Sequence, residues 1–280
     1  MSCSPAARGR GPATACPMVV PSRRSPAADT CAARPEEAYY LAGQSSVAQS
    51  FADPLETFVG IVIGLLNLLR AIRQLAPDAR ILNAASGDCF GECAFEHPAT
   101  EQSPLAPRSP YGAAKSAAHH IVSTSRLEGG TFICSAFLFN HESPLRDERF
   151  AIGKIVAGLR KIQADPSERL ILGNVDVVRD WGWAPEYVEA LWLMLQQTAP
   201  ADFIVATGKS YRLAEFVELA FAHVGLDWRN HVDLAPEAQR PADIRIHHAD
   251  PTRAAQLLGW QARTLLPDLP AALLDGPPLR

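Results

Sequence analysis

Tyr111 and Lys115 stand four residues apart in the segment Arg108-Ser109-Pro110-Tyr111-Gly112-Ala113-Ala114-Lys115, which reads as the opening of a helix. On a helix that spacing puts both side chains on one face, a single turn apart. An ammonium beside a phenol favours the phenolate, so the spacing predicts a Tyr111 pKa below the ordinary value of about 10. A phenol tuned in this way can move a proton on and off a sugar or alcohol hydroxyl. Upstream lies Ala84-Ala85-Ser86-Gly87-Asp88-Cys89-Phe90-Gly91, directly after a predicted strand from Arg80. The carboxyl end of a parallel strand faces the crevice where ligands bind. Ser86 can hydrogen-bond a substrate hydroxyl there, and Asp88 can take a carbon-bound proton. The same two residue types also suit an ordinary turn.

The elements that must position these groups alternate regularly. Strands are predicted at 38–42, 80–85 and 131–139, and helices at 55–75 and 110–127. Beyond residue 140 the sequence predicts helices at 149–163, 185–197, 212–224 and 251–258, the last closed by Gly259, with short strands at 169–172 and 203–206. In the helix from Pro185, Tyr187, Val188, Leu191, Trp192, Met194 and Leu195 are assigned to the inner side. Alternation of this kind implies βαβ units, a parallel sheet and helices on both of its faces.

The chain has 280 residues, 48% hydrophobic and 20% charged, which suits one large α/β domain or one domain with a small lobe. A net charge of -4 argues against a nucleic-acid or anionic-membrane partner. The longest apolar run, Phe58 to Leu69, is broken by Gly60, Gly64 and Asn67. It falls short of the about 20 residues that a bilayer needs and reads as a buried helix. Cys3, Cys16, Cys31, Cys89, Cys93 and Cys134 form no zinc-spaced pairs, and no secretory h-region opens the chain, so a reduced cytoplasmic protein is expected. Residues 1–34, rich in Pro, Ala, Ser and Arg, read as a disordered leader.

Longer motifs carry more than the Tyr/Lys pair. The chain resembles the extended short-chain dehydrogenase/reductase family, and within it the GDP-mannose 4,6-dehydratases, over roughly residues 35–263. The resemblance rests on Leu41-Ala42-Gly43-Gln44-Ser45, the Tyr111 segment, Phe139-Asn140-His141-Glu142-Ser143-Pro144, Arg179-Asp180-Trp181-Gly182, Tyr187-Val188-Glu189-Ala190 and Ala206-Thr207-Gly208. It implies that Tyr111, with Lys115, removes the proton of a sugar 4-hydroxyl while hydride passes to NADP, with NAD the other option. A carboxylate then takes the C5 proton, water leaves from C6, and the hydride returns to give a 4-keto-6-deoxy sugar. GDP-mannose or a related GDP-hexose is the implied substrate, and a dimer or tetramer the implied assembly.

The resemblance also implies site residues. Ser86 and Asp88 join Tyr111 and Lys115 as catalytic groups. Leu41, Ala42, Gly43, Gln44 and Ser45 pass beneath the cofactor, and His141 and Arg146 lie near its nicotinamide end and phosphates. Asn140, Lys154, Arg179 and Arg240 hold the nucleotide diphosphate, and Asp243 contacts the ribose. The family usually has threonine at position 86 and glutamate at position 88. The aspartate is one methylene shorter, and a misplacement near 1 Å can cost about a hundredfold in rate.

A dinucleotide fold opens with a strand and a G-x-G-x-x-G turn. Here Gly9-Arg10-Gly11 is followed by Pro12 and Thr14 without a preceding strand, which rules it out as that turn. The fold class expected is therefore α/β, an incomplete Rossmann-like doubly wound parallel sheet whose first βαβ units, on the order of 60 residues, are missing. Residues 35–145 form the partial NADP-binding domain and 146–280 the substrate lobe plus return elements. Three readings stay open: a dehydratase with a mis-started reading frame, an incompetent paralogue that binds a nucleotide sugar or pairs with a full-length subunit, and a remnant that does not fold alone.

Overall fold

The computed structural model describes residues 34–235 and 244–276. The sheet that positions Ser86 has four parallel strands in the order β1 (Glu37–Tyr40), β2 (Arg80–Ser86), β3 (Ile133–Leu138) and β7 (Phe203–Val205). Its middle strands are buried on both faces, and the buried Asn83 and Ser135 within them pair with each other at 3.3 Å. Register is fixed by pairs such as Ile81 with Ile133 and Ser86 with Leu138.

Helices cover both faces. On one lie α1 (Val47–Ala52), α2 (Pro54–Leu75) and α3 (Pro110–Leu127), sharing a core of Ile61, Leu65, Leu69, Ala114, Ala118 and Val122 with Tyr40 and Ile81. The other carries α5 (Ala184–Leu195) and α7 (Thr252–Leu258), where Tyr187, Leu191, Met194 and Trp260 pack on Leu82, Cys134 and Phe203. The α/β doubly wound parallel sheet read from the sequence is thus what forms.

A second layer comes from the later half. Strand β6 (Val178–Trp183) pairs in parallel with β4 (Asn140–Glu142) and β10 (Ile246–His247), and antiparallel with β8 (Ser210–Arg212). Helices α4 (Ala151–Ala164), α6 (Leu213–His223) and α8 (Leu269–Leu274) enclose a separate core with β5 (Leu170–Leu172) and β9 (Val232–Leu234).

Three details differ from the sequence reading. Helix α2 runs for 22 residues, including a π-turn at Val59–Ile63, and is thus long and apolar enough to cross a membrane, a test that a core helix also passes. Its inner face is nevertheless the core helix of the α/β sheet, with Ile61, Leu65 and Leu68 buried. Val188 and Trp192 lie outward on α5, 63% and 51% exposed, because only Tyr187, Leu191, Met194 and Leu195 of that set fall within the arc facing the sheet. The strands at 140–142, 178–183, 210–212, 232–234 and 246–247 were not foreseen; all but the one at 178–183 are two or three residues long and carry no period. Gly259 does close α7, at φ +65°. Residues 1–34, apart from Arg34, and Arg240 and Asp243 lie outside the described residues.

Candidate active site

The site begins at the carboxyl end of β2. Ser86 caps the short turn Gly87–Cys89 by accepting the Asp88 N–H at 3.2 Å. Helix α3 starts opposite. Ser109 caps it by accepting the Gly112 N–H at 3.0 Å, and Pro110 supplies its first turn. A Cβ at Gly112 would stand 2.7 Å from the Asp88 carbonyl oxygen, so the helix start rests directly on the Asp88 turn. Two segments distant in sequence thereby bring Ser86, Asp88, Tyr111 and Lys115 together.

Their electrostatics differ from the sequence expectation. Lys115 turns its Nζ to the Ala84 carbonyl oxygen, 2.7 Å away, and lies 5.8 Å from the centre of the Tyr111 ring. Burial lowers its pKa to about 8. The Tyr111 phenol is held above its ordinary value, not below it. Burial is the main cause and the Asp88 charge adds to it, opposed by hydrogen bonding to Ser86 and by the Arg146 charge. The i, i+4 spacing delivered the proximity, but burial outweighs what an ammonium tied elsewhere can do. Asp88 is half-buried and likewise pushed up by burial, against the pull of Arg179. A carboxyl raised in this way is a better proton acceptor once ionised.

The remaining predicted residues divide. Leu41–Ser45 form the exposed loop leaving β1, at the same end of the sheet. Within it Gly43 adopts φ +102°, and a Cβ there would meet Ile61 at 2.5 Å. Gln44 donates to the Thr57 hydroxyl at 2.8 Å and accepts from the Ser46 N–H at 2.7 Å, which fixes the loop to α2. Asn140 lies on β4 opposite Trp181. His141 donates from Nδ1 to the Phe139 carbonyl at 2.8 Å, and burial drives its pKa down to about 4, so it is a neutral ring. Arg146 is engaged inside the protein: its Nε donates to Glu142 at 2.6 Å and its Nη2 to the His141 carbonyl. Lys154 sits exposed on α4. Arg179 donates to the Val178 carbonyl at 2.8 Å, and its charge reaches Asp88 and His247.

Three residues were given no role from the sequence, two of them within motifs it did show. Glu142 is buried and paired with Arg146, a partner four positions on that the sequence does show. Asp180 is wholly buried and accepts the Thr207 and Gly208 N–H groups at 2.9 and 2.8 Å, joining β6 to the loop after β7. His247 is buried against Gly87, a contact set by strand register and invisible in sequence.

Known proteins resemble this chain in sequence and in fold. Residues 31–272 match the GDP-mannose 4,6 dehydratase family. The chain belongs to that family. GDP-mannose 4,6 dehydratase 1 of Arabidopsis thaliana is 39% identical over 246 residues, covering 86% of this chain and 68% of the relative. The GDP-mannose 4,6-dehydratase of Sinorhizobium fredii is 39% identical over 255 residues, covering 84% and 72%. Against a second Arabidopsis thaliana member, GDP-mannose 4,6 dehydratase 2, the chain covers 65% of the relative's length. Among solved structures, RMD from Pseudomonas aeruginosa, complexed with NADPH, superposes with TM-score 0.79 at 26% identity, over 87% of this chain and 82% of that one. Thermus thermophilus UDP-glucose 4-epimerase, solved with NAD, gives 0.79 at 25% identity, over 89% and 80%. The chain is thus a member of a sugar-nucleotide dehydratase family within the Rossmann-like reductases.

The residues present fit one end of a nicotinamide nucleotide. Tyr111, Lys115 and the Gly43 loop lie together at the carboxyl end of the sheet, where the chemical end of such a cofactor would rest. Among the described residues no G-x-G-x-x-G turn offers amides to its pyrophosphate.

Proposed function

We propose that the chain converts a GDP-hexose, GDP-mannose first, to its 4-keto-6-deoxy product. The observation that carries this reading is the meeting of Ser86, Asp88, Tyr111 and Lys115 at one junction of β2 and α3, in a chain of this family. NADP is the proposed cofactor, with NAD the alternative; when bound, it supplies a hydride acceptor and donor. The neighbours solved with NADPH and with NAD support a nicotinamide.

The chain's own groups account for the rest. Tyr111, as its phenolate, accepts the 4-hydroxyl proton and becomes the neutral phenol, with the Ser86 hydroxyl orienting that oxygen by a hydrogen bond. The Lys115 ammonium, beside the ring, favours the phenolate that takes that proton. Asp88 takes the C5 proton once a 4-ketone has made it acidic. Arg179, whose field reaches Asp88, holds the substrate diphosphate with Asn140, Lys154 and Arg240, while Asp243 binds the ribose. Arg146 and His141 line the nicotinamide side, Arg146 by supporting the loop through Glu142. Residues 35–145 serve the cofactor, and 146–280 serve the substrate while returning β7, α5 and α7 to the first sheet.

Self-association belongs to the same reading. Leu55, Val59, Ile63 and Leu66 leave an apolar line exposed along α2. Sedimentation should give a dimer or larger; a monomer at micromolar concentration contradicts it. A second reading, nucleotide-sugar binding without turnover, draws on the raised Tyr111 phenol and the engagement of Lys115 at Ala84. Incubation with NADP and GDP-mannose separates the two. Formation of a 4-keto-6-deoxy product supports turnover, and tight binding without product supports the second.

A further inference from the structure

His247 has no part in the chemistry above, yet it touches the turn that carries it. The residue ends β10 and is 2% exposed. Its ring stacks on Phe139 with centres 4.5 Å apart and planes 29° apart. Across the β10–β6 ladder it stands in register with Arg179, so the two side chains leave the sheet on the same face. Its other edge bridges to Cys93: the Cys93 N–H donates to the Ile246 carbonyl at 3.0 Å, and the His248 N–H to the Cys93 carbonyl at 3.1 Å. This ties β10 to the segment that follows the Asp88 turn.

The closest approach is to Gly87. A Cβ there would stand 2.6 Å from His247 Cε1 and 3.1 Å from Nε2. The imidazole therefore occupies the space that any side chain at position 87 would need. Its Nε2 has no hydrogen-bond partner. Burial, aided by the Arg179 charge, lowers its pKa to about 3, so the ring is neutral at working pH. Gly87 is the residue between Ser86 and Asp88, and nothing else among the described side chains fills the space beneath it so closely.

We propose that His247 is a positioning residue for the Ser86–Gly87–Asp88 turn. The ring is a wedge, held by Phe139 on one side and closed on Gly87 on the other, that keeps Asp88 at its distance from Tyr111 and Arg179. This rests on the reading of Asp88 as the carbon base, so the test includes a measurement that needs no turnover.

That measurement is the titration of Asp88 by carbon NMR on aspartate-labelled full-length chain, with Asp88→Asn used to assign the signal. In His247→Ala the turn loses its wedge, and the Asp88 midpoint falls by about one pH unit or more toward the ordinary carboxylate range. His247→Phe keeps the ring and the stack, and holds the midpoint within about 0.3 units of the unmodified chain. Gly87→Ala lowers the melting temperature and shifts Asp88, and His247→Ala added to it reverses most of both effects, because the 2.6 Å clash is gone and only the 3.1 Å approach of Phe139 is left. The Gly87 cycle and His247→Phe serve even if His247→Ala fails to fold. Where GDP-mannose is turned over, His247→Ala lowers kcat at least about tenfold and leaves KM within about twofold. The proposal is overturned by an Asp88 midpoint unchanged in His247→Ala, by a midpoint shifted as far in His247→Phe, or by Gly87 and His247 effects that simply add. GDP-mannose recovered intact from the unmodified chain would instead refute the dehydratase reading, and leaves the NMR result to decide this one.

Discussion

The Lys115 ammonium lies 5.8 Å from the centre of the Tyr111 ring and is tied to the Ala84 carbonyl, not to the phenol oxygen. The cation whose charge opposes the raised phenol is Arg146, while the proton itself must move at the phenol oxygen. Tyr111→Phe removes only that oxygen and keeps the ring against Ala114 and the α3 turn. Turnover of GDP-mannose should fall by at least about a hundredfold, with the GDP-mannose Kd within about twofold of the unmodified value. Loss of binding would make Tyr111 structural.

Asp88 is the carboxylate nearest the Tyr111 phenol electrostatically, and it raises the phenol's pKa. Asp88→Asn should slow exchange of the sugar C5 proton with solvent by at least about a hundredfold, while hydride removal from C4 continues. Deuterium incorporation at C5, followed by mass spectrometry, reads this directly. An unchanged exchange rate would take Asp88 out of that role.

Asp180 gives a pH dependence. Burial lifts its pKa to about 7, although the Thr207 and Gly208 amides favour the ionised form. The folded state then binds this proton more tightly than the unfolded chain, whose aspartate titrates at about 4. The contribution is fully present below pH 4 and is lost as the pH rises through 7. Its span is up to about 4 kcal/mol. Stability of the unmodified chain minus that of Asp180→Asn, from denaturant melts, should decline between pH 4 and 7 and level off above. A difference that stays flat or rises would contradict the assignment.

Glu142 and Arg146 form a buried pair in which the carboxylate is 3% exposed. Glu142→Gln leaves the guanidinium with carbonyl partners only and should cost about 3 kcal/mol. It should also loosen the loop from His141 to Arg146. Thermal unfolding checks the first effect. A melting temperature within 1 °C of the unmodified chain, an interval below the about 2–4 °C expected per kcal/mol, would count against it.

The first sheet and its helices were legible because long periods carry them. The run from Leu55 to Leu75 and the helix from Pro110 announce their faces, and the apolar strands at Arg80 and Ile133 their burial. The small strands at Asn140 and Ile246 were not legible, since their identity lies in pairing with β6 and not in their own residues. The Tyr111–Lys115 proximity followed from spacing. The direction of the Tyr111 shift did not, because burial of a phenol depends on how α3 settles on the Asp88 turn. Arg179 was visible as a cation in a motif, but its charge reaches Asp88 because β10, paired with β6, lies against the Gly87 turn. His247 gave no signal at all: an alternating Arg-Ile-His-His stretch looks the same whether its histidine faces solvent or a glycine.

The central claim is that this chain carries out a 4,6-dehydration. The most direct test is the purified full chain with NADP and GDP-mannose in deuterated water, followed by NMR and mass spectrometry of the nucleotide sugar. The account predicts a GDP-4-keto-6-deoxy hexose with one solvent deuteron at C5 and the original C4 hydrogen delivered to C6. GDP-mannose recovered unchanged would contradict it.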